Sequence, residues 1–394
     1  MFRKALSPAL LSLAMQGALA LISVNAQNFQ SVAPFAALVD YDTGSVLYDK
    51  NAEQLMEPAS TTKLLTAEIV FDALKHGRAH LTDSFTVSQY AWRTGGARAH
   101  GSTSFLALHS RVAVEDLLRG MLIQSGNDAA ITLAEGIGGS VDKFVETMNQ
   151  HAAAIGMAHS HFTNPWGDNQ LEHRVTPNDM ARLAAYLIRT YPEYYGYFSE
   201  REFTWNKIRQ LNRNPLLTQN LGADGLKTGE TEVSGFGLVG SAIQNGRRLI
   251  IVLNGLKNAQ ERGDEARRLL EHGFNDFEPH SVFAAGQIVG AATVYGGASG
   301  EAPLMTQSPI TVFEQRGATE RLTAQITYKG PLIAPIAAGL EVARLKIYRG
   351  DMLLHDGPLK TASAVAVGSL AQRALDALYE LAGDAVRRLA RKKI

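Results

Sequence analysis

The chain has 394 residues, 45% of them hydrophobic and 19% charged, with 38 Lys+Arg against 38 Asp+Glu. That length exceeds one ordinary domain of roughly 100 to 200 residues and predicts at least two, while the zero formal charge excludes the strongly basic footprint of a nucleic-acid binder. Cysteine is absent, which excludes disulfides, thiol catalysis and cysteine-based zinc sites together.

In chain order, residues 1–26 place Arg3 and Lys4 before an apolar run that ends on Val24-Asn25-Ala26. This is the pattern of an export signal cleaved after Ala26. Pro8, Gln16 and Gly17 interrupt the run and weaken the alternative, a retained spanning helix of about 20 residues. Cleavage removes two cations and no anion, leaving 36 cations against 38 anions. Residues 35–49 (FAALVDYDTGSVLYD) predict a hairpin turning at Asp40–Gly44. Apolar spacing then predicts helices over 60–75, 113–123 and 126–136, and over 175–191, where Thr176 and Asn178 flank Pro177 as cap candidates. Strands return at 223–255, with Asn245-Gly246 as a hairpin turn. Residues 260–273 predict a helix ending at Gly273.

After Pro279 the texture changes. Alternating segments such as RLTAQITY (321–328) and VARLKIYRG (342–350) predict a small all-β domain over 280–366. The last stretch, 369–394, regains helical spacing: Leu378, Leu381, Ala385 and Leu389 line one face, and Arg387, Arg388, Arg391, Lys392 and Lys393 crowd the end. A basic amphipathic helix suggests peripheral docking on an anionic membrane. The alternative is a helix packed on the β domain, its cations complementing the helix dipole.

Chemistry centres on Ser60-Thr61-Thr62-Lys63. A serine hydroxyl is a weak nucleophile until a neighbouring base takes its proton, and positions i and i+3 share a helix face. A lysine serves as that base only when burial or a nearby cation keeps it neutral. The spacing alone is weak, since it recurs at Ser140 and Lys143, where Asp142 and two preceding glycines mark an exposed helix start. Lys63 instead precedes Leu64, Leu65, Ile69 and Val70. Downstream, Ser125-Gly126-Asn127 opens a helix, and Lys227-Thr228-Gly229 begins an apolar strand. Gly235-Phe236-Gly237-Leu238-Val239-Gly240 matches a dinucleotide fingerprint, yet a strand runs through it and a hairpin follows, where that motif requires a helix. His159-Ser160-His161 lacks the companions of a metal helix. No cofactor or metal is expected.

Ser60-x-x-Lys63, Ser125-x-Asn127 and Lys227-Thr228-Gly229, in this order, resemble the three motifs of penicillin-binding proteins and serine β-lactamases. The stretches DYDTGSVLYDKNAEQLMEPASTTKLL and DGLKTGETEVSGFGLVGSA, with the β domain and terminal helix, are similar to the low-molecular-weight D-alanyl-D-alanine carboxypeptidases. The resemblance implies an α/β (α+β) fold: a transpeptidase-like domain over 27–279 with a central antiparallel sheet and helices, the all-β domain, and the amphipathic helix over 367–394. It also implies a periplasmic protein, peripheral on the outer face of the inner membrane, which trims peptidoglycan pentapeptides and is acylated by β-lactam antibiotics. In that scheme Ser60 attacks, Lys63 takes its proton, Ser125 passes a proton to the leaving amine, and Asn127 orients substrate and lysine. Lys227 adds positive charge, while Thr228, Gly229, Arg213 and Arg262 surround the substrate carboxylate. Backbone N–H groups of Ser60 and Glu230 receive the oxyanion. Glu230 departs from the histidine common in relatives, and a carboxylate pointing inward there would repel the substrate's own. The alternatives are a D,D-endopeptidase or β-lactamase of the same fold, though no class A loop surrounds Glu172, and a non-catalytic peptidoglycan binder, which would have no use for Ser60, Lys63, Ser125 and Lys227 together.

Overall fold

A computed structural model describes residues 29–318 and 320–378. The export signal over 1–26 and the end of the terminal helix, 379–394, lie outside the described residues. Strands β1 (Phe35–Asp40) and β2 (Val46–Lys50) form the predicted hairpin, in whose turn Asp40 Oδ1 accepts from both the backbone N–H and the hydroxyl of Thr43. A 3₁₀ turn, Ala59–Thr62, leads into α1 (Lys63–Lys75). Next come β3 (Ser84–Thr86), α2 (Gln89–Gly95), β4 (Arg111–Ala113), α3 (Val114–Leu122), α4 (Asn127–Gly138), α5 (Val141–Ile155), α6 (Pro177–Thr190) and α7 (Pro192–Tyr195). Thr176 is the cap of α6, its hydroxyl accepting from Asp179 N at 3.1 Å, whereas Asn178 reaches out to Glu53. Strands β5 (Glu202–Trp205) and β6 (Ile208–Leu211) make a small hairpin.

The meander β7 (Ala223–Thr231), β8 (Gly235–Gln244) and β9 (Arg247–Leu256) completes an antiparallel sheet in the order β2-β1-β9-β8-β7. Asn245 and Gly246 adopt the left-handed φ values, 51° and 78°, that a two-residue hairpin turn demands. Along β9 the run Leu249–Leu253 is buried without alternation because helices cover both faces. Ile250 and Val252 join the core built on α1, α3, α4 and α6. On the other face Leu249 meets α8 (Ala259–Asn275). Gly273 does not end that helix, as its sequence suggested. It lies inside α8, where an added Cβ would come within 2.6 Å of Leu249 and 2.9 Å of Leu38, so a bare backbone seats helix on sheet.

From Ser31 onward the described chain is one compact unit. Its C-terminal part is all β: β10 (Phe277–Phe283) pairs with β13 (Ile310–Gln315), and β11 (Ile288–Tyr295), β12 (Glu301–Met305), β14 (Leu322–Tyr328), β15 (Leu332–Ile333), β16 (Glu341–Arg349) and β17 (Met352–Thr361) form a sheet in the order β14-β16-β17-β12-β11-β15. Pro279, where the texture of the sequence changes, sits within β10 opposite Phe313. Residues 370–378 are helical, anchored by Asp376, whose carboxylate accepts from Gly296 N at 2.8 Å.

Candidate active site

Three elements meet at the open edge of the sheet: the 3₁₀ turn before α1, the start of α4, and β7, which among the described residues pairs only with β8. Sequence spacing predicts an α-helix from residue 60, but the first turn is 3₁₀. In that geometry side chains at i and i+3 eclipse, which brings Lys63 directly over Ser60. Lys63 Nζ lies 2.9 Å from Ser60 Oγ, 2.8 Å from Asn127 Oδ1 and 2.5 Å from the Trp166 carbonyl. The Nζ of this side chain with no exposed surface thus has three partners; as a neutral amine it donates to two and accepts from Ser60 Oγ. Burial holds the Lys63 amine well below the ordinary lysine value, and the Arg213 guanidinium presses it further, against a smaller upward pull from Asp128. The cation next to burial in importance is thus Arg213, where the sequence pointed to Lys227. Lys227 is equally buried and likewise held low, by burial first and then by Lys63, Arg213 and Arg262. Lys63 thus disfavours a proton on Lys227, and Arg213 disfavours one on either amine.

Two backbone features hold the serine turn. Ala59 takes a left-handed φ of 46°, a strained setting for a residue with a Cβ. Gly229 on β7 lies so near that a Cβ there would come within 2.9 Å of the Pro58 carbonyl and 3.1 Å of Thr61 N. The glycine of Lys227-Thr228-Gly229 therefore lets the strand edge touch the backbone around Ser60. Lys227 stands in the middle of β7, which starts at Ala223. Its Nζ donates to the Thr228 carbonyl at 3.1 Å.

Ser125 is buried with a left-handed φ of 69°, and its Oγ makes no hydrogen bond among the described residues. Gly126 follows as the N-cap, so Asn127 is the first residue of α4. Arg213 Nη1 donates to Ser102 Oγ at 2.8 Å, and the Ser102 carbonyl accepts from Asn127 N at 2.8 Å. Arg262 is 4% exposed, and its Nε and Nη1 lack hydrogen-bond partners among the described residues. Its nearest charge is Glu230, 3.8 Å away. Glu230 is exposed at the same edge, so this acid faces the Arg262 cation.

Sequence reasoning missed the layer behind these groups. Asn164 Oδ1 accepts from the backbone N–H of Trp166, Gly167 and Asp168, folding the loop that aims the Trp166 carbonyl at Lys63. Gly167 has φ 88°, and a Cβ there would sit 1.9 Å from the Ala59 carbonyl. His173 ties this loop to the serine turn. Its Nδ1 accepts from Thr163 N at 3.1 Å, so the ring proton is on Nε2, 2.8 Å from Thr62 Oγ1. Burial pushes the His173 pKa down to about 3, which keeps it neutral. Asp128 gathers four donors, Thr103 Oγ1, Ser104 N, Leu106 N and Ala129 N, at 2.8 to 3.0 Å. The signal for the first of these groups was the turn cluster Asn164-Pro165-Trp166-Gly167-Asp168-Asn169.

The two look-alike motifs have other uses. Ser140 caps α5 by accepting from Lys143 N at 3.2 Å, while Gly235–Gly240 lies along β8, which turns directly into β9. His159 faces Glu53 at 3.7 Å, and His161 bridges Arg174 through backbone bonds.

Residues 22–258 match a family model described as D-alanyl-D-alanine carboxypeptidase, and residues 277–367 match one described as the penicillin-binding protein 5 C-terminal domain. D-alanyl-D-alanine carboxypeptidase DacA of Haemophilus influenzae is 40% identical over 289 residues, 71% of this chain and 73% of that one. Among solved structures, penicillin binding protein 5 from Haemophilus influenzae superposes with a TM-score of 0.71 at 35% identity, covering 86% of this chain and 98% of that one. Penicillin-binding protein D2 from Listeria monocytogenes, solved in its ampicillin-bound form, matches at TM-score 0.55 and 29% identity over 63% of this chain and 99% of that one.

Proposed function

Because the chain belongs to the D-alanyl-D-alanine carboxypeptidase family, we propose that its acyl-enzyme forms on Ser60, with Lys63 as base and Ser125, Asn127 and Lys227 completing the catalytic set. The chain is a serine hydrolase that removes the terminal D-alanine from peptidoglycan peptides. The observation that carries the residue assignment is the buried, low-pKa Lys63 amine 2.9 Å from Ser60 Oγ.

Ser60 Oγ attacks the carbonyl between the two terminal D-alanines as its proton moves to neutral Lys63 Nζ. The tetrahedral oxyanion is received by the backbone N–H groups of Ser60 and Glu230. Collapse breaks the peptide bond, and the leaving amine takes a proton delivered through Ser125. Water then attacks the ester and releases the shortened peptide. Thr228, Gly229, Arg213 and Arg262 frame the terminal carboxylate, which a guanidinium can bind in two-pronged fashion.

Purified mature protein releases free D-alanine from a pentapeptide ending in D-Ala-D-Ala, and Ser60→Ala abolishes the release. In intact-mass spectra after penicillin treatment a lasting adduct on Ser60 is expected. Rapid turnover would favour a β-lactamase, and absence of any adduct would sink the assignment.

The family resemblance also supports export to the periplasm and peripheral attachment through the terminal helix. No helix among the described residues is long and apolar enough to cross a membrane. Leu370, Leu375 and Leu378 are 82%, 54% and 64% exposed, an apolar surface unused by the rest of the fold and suited to an interface. Truncation after Gly368 should abolish flotation with anionic vesicles, and retained flotation would refute the anchor.

A further inference from the structure

Glu230 follows Thr228-Gly229 on β7, and residues two apart share one face of a strand, so its side chain stands beside that of Thr228. At 48% side-chain exposure it is open to whatever occupies the edge of β7. Among the described residues its charged neighbour within 4 Å is Arg262, and 3.8 Å is too long for a hydrogen bond. Arg262 itself is almost wholly buried, lies 5.5 Å from the Phe236 ring centroid, and has Nε and Nη1 without hydrogen-bond partners among the described residues. The site thus pairs a cation reserved for an incoming carboxylate with an exposed anion that leaves it unsatisfied. An incoming carboxylate is attracted by Arg262, Arg213 and Lys227 and repelled by Glu230. At about 3.3 Å per residue Glu230 stands roughly 7 Å along the strand from Thr228, within reach of a long side chain on the residue bearing that carboxylate.

Resting on the assignment of Ser60 and of the carboxylate site above, we infer that Glu230 sets the identity of the released residue, favouring peptides whose terminal D-amino acid carries a cationic side chain. A D-lysine or D-arginine places its charge on a flexible stem long enough to reach Glu230 while its own carboxylate engages Thr228 and Arg262. A terminal D-alanine has no side-chain charge to offset the Glu230 repulsion, and a terminal D-glutamate adds a second carboxylate that Glu230 repels.

The test uses three pentapeptides that differ only in the last residue, D-Ala, D-Lys or D-Glu, with the wild-type enzyme and Glu230→Gln. An exposed ion pair is worth up to about fivefold. The substitution should therefore lower kcat/KM for the D-Lys peptide by about threefold to fivefold while raising it for D-Ala and more for D-Glu, and 1 M salt should shrink the difference. A crossed response of this kind does not come from general damage to the site. If Glu230→Gln changes all three peptides by one factor, or none, the inference fails. Penicillin adduct formation separates the two levels: an enzyme that is acylated on Ser60 and releases D-alanine without a crossed response overturns only the role of Glu230. An enzyme that forms no adduct and releases no residue overturns the function on which it rests.

Discussion

Lys63 is pushed in opposite directions by two neighbours, Arg213 downward and Asp128 upward, on top of a burial that favours its neutral form. With Lys63 as the proposed base, only its neutral form would accept the serine proton, so the acylation rate should climb as pH rises through its pKa, with the limb well below the free-lysine value of about 10.4. Removing the cation with Arg213→Gln raises that pKa and moves the limb to higher pH. Removing the anion with Asp128→Asn lowers it and moves the limb to lower pH. The pH dependence of penicillin acylation, read by stopped-flow or intact mass, should show these opposite displacements; a limb unmoved in both variants would mean that neither charge reaches Lys63. Asp128→Asn also aims an N–H group at donors that now converge on a carboxylate, so it should cost about 2 kcal/mol in denaturant unfolding.

At the scale of elements, the serine turn depends on how closely the loop after α5 can approach it. Gly167→Ala combines a left-handed φ of 88° with a Cβ 1.9 Å from the Ala59 carbonyl, whereas Gly139→Ala has φ 77° and open space around it. The second should cost about 1 kcal/mol of backbone strain and leave acylation unchanged. The first must displace the turn bearing Ser60, and a displacement near 1 Å costs on the order of 100-fold in rate. Similar acylation rates for the two variants would show that the loop does not hold the turn. This loop also marks where the sequence stopped being legible. The hairpins at Asp40–Gly44 and Asn245-Gly246, the helices with period 3.6, and the three motifs were readable because each depends on neighbours along the chain. The Trp166 carbonyl on Lys63 and the His173 bond to Thr62 join residues about 100 apart in sequence, and backbone acceptors carry no residue signature. The 3₁₀ start of α1 and the continuation of α8 through Gly273 were missed for a related reason: tertiary contact, not propensity, decides them.

At the scale of the whole molecule, Arg247 is one link between the sheet that carries β7 and the C-terminal β domain. Its Nε donates to Asp40 Oδ2 at 2.8 Å and its Nη1 to the Gly273 carbonyl at 2.9 Å, while the guanidinium lies 3.7 Å from the Phe313 ring centroid on β13. Beside it, His272 of α8 meets Phe277 of β10 edge to face at 5.1 Å. Asp40 is 1% exposed in its side chain, so deleting the guanidinium leaves a buried carboxylate with, among the described residues, the Thr43 donors, and removes the stacking on Phe313. Loss of one partner from a buried pair costs about 3 kcal/mol. Because the lost contacts join the two parts, Arg247→Ala should weaken their coupling more than either core. Calorimetry should then resolve two unfolding transitions where the parent shows one, with the β domain reported separately by a tryptophan placed at Phe313. The Ser60 site is built from the 3₁₀ turn, α4 and β7, none of which Arg247 touches, so penicillin acylation at 25 °C should match the parent. A single transition at the parent's midpoint would show that the two parts are coupled through β2 and β17 instead, whose contact does not involve Arg247.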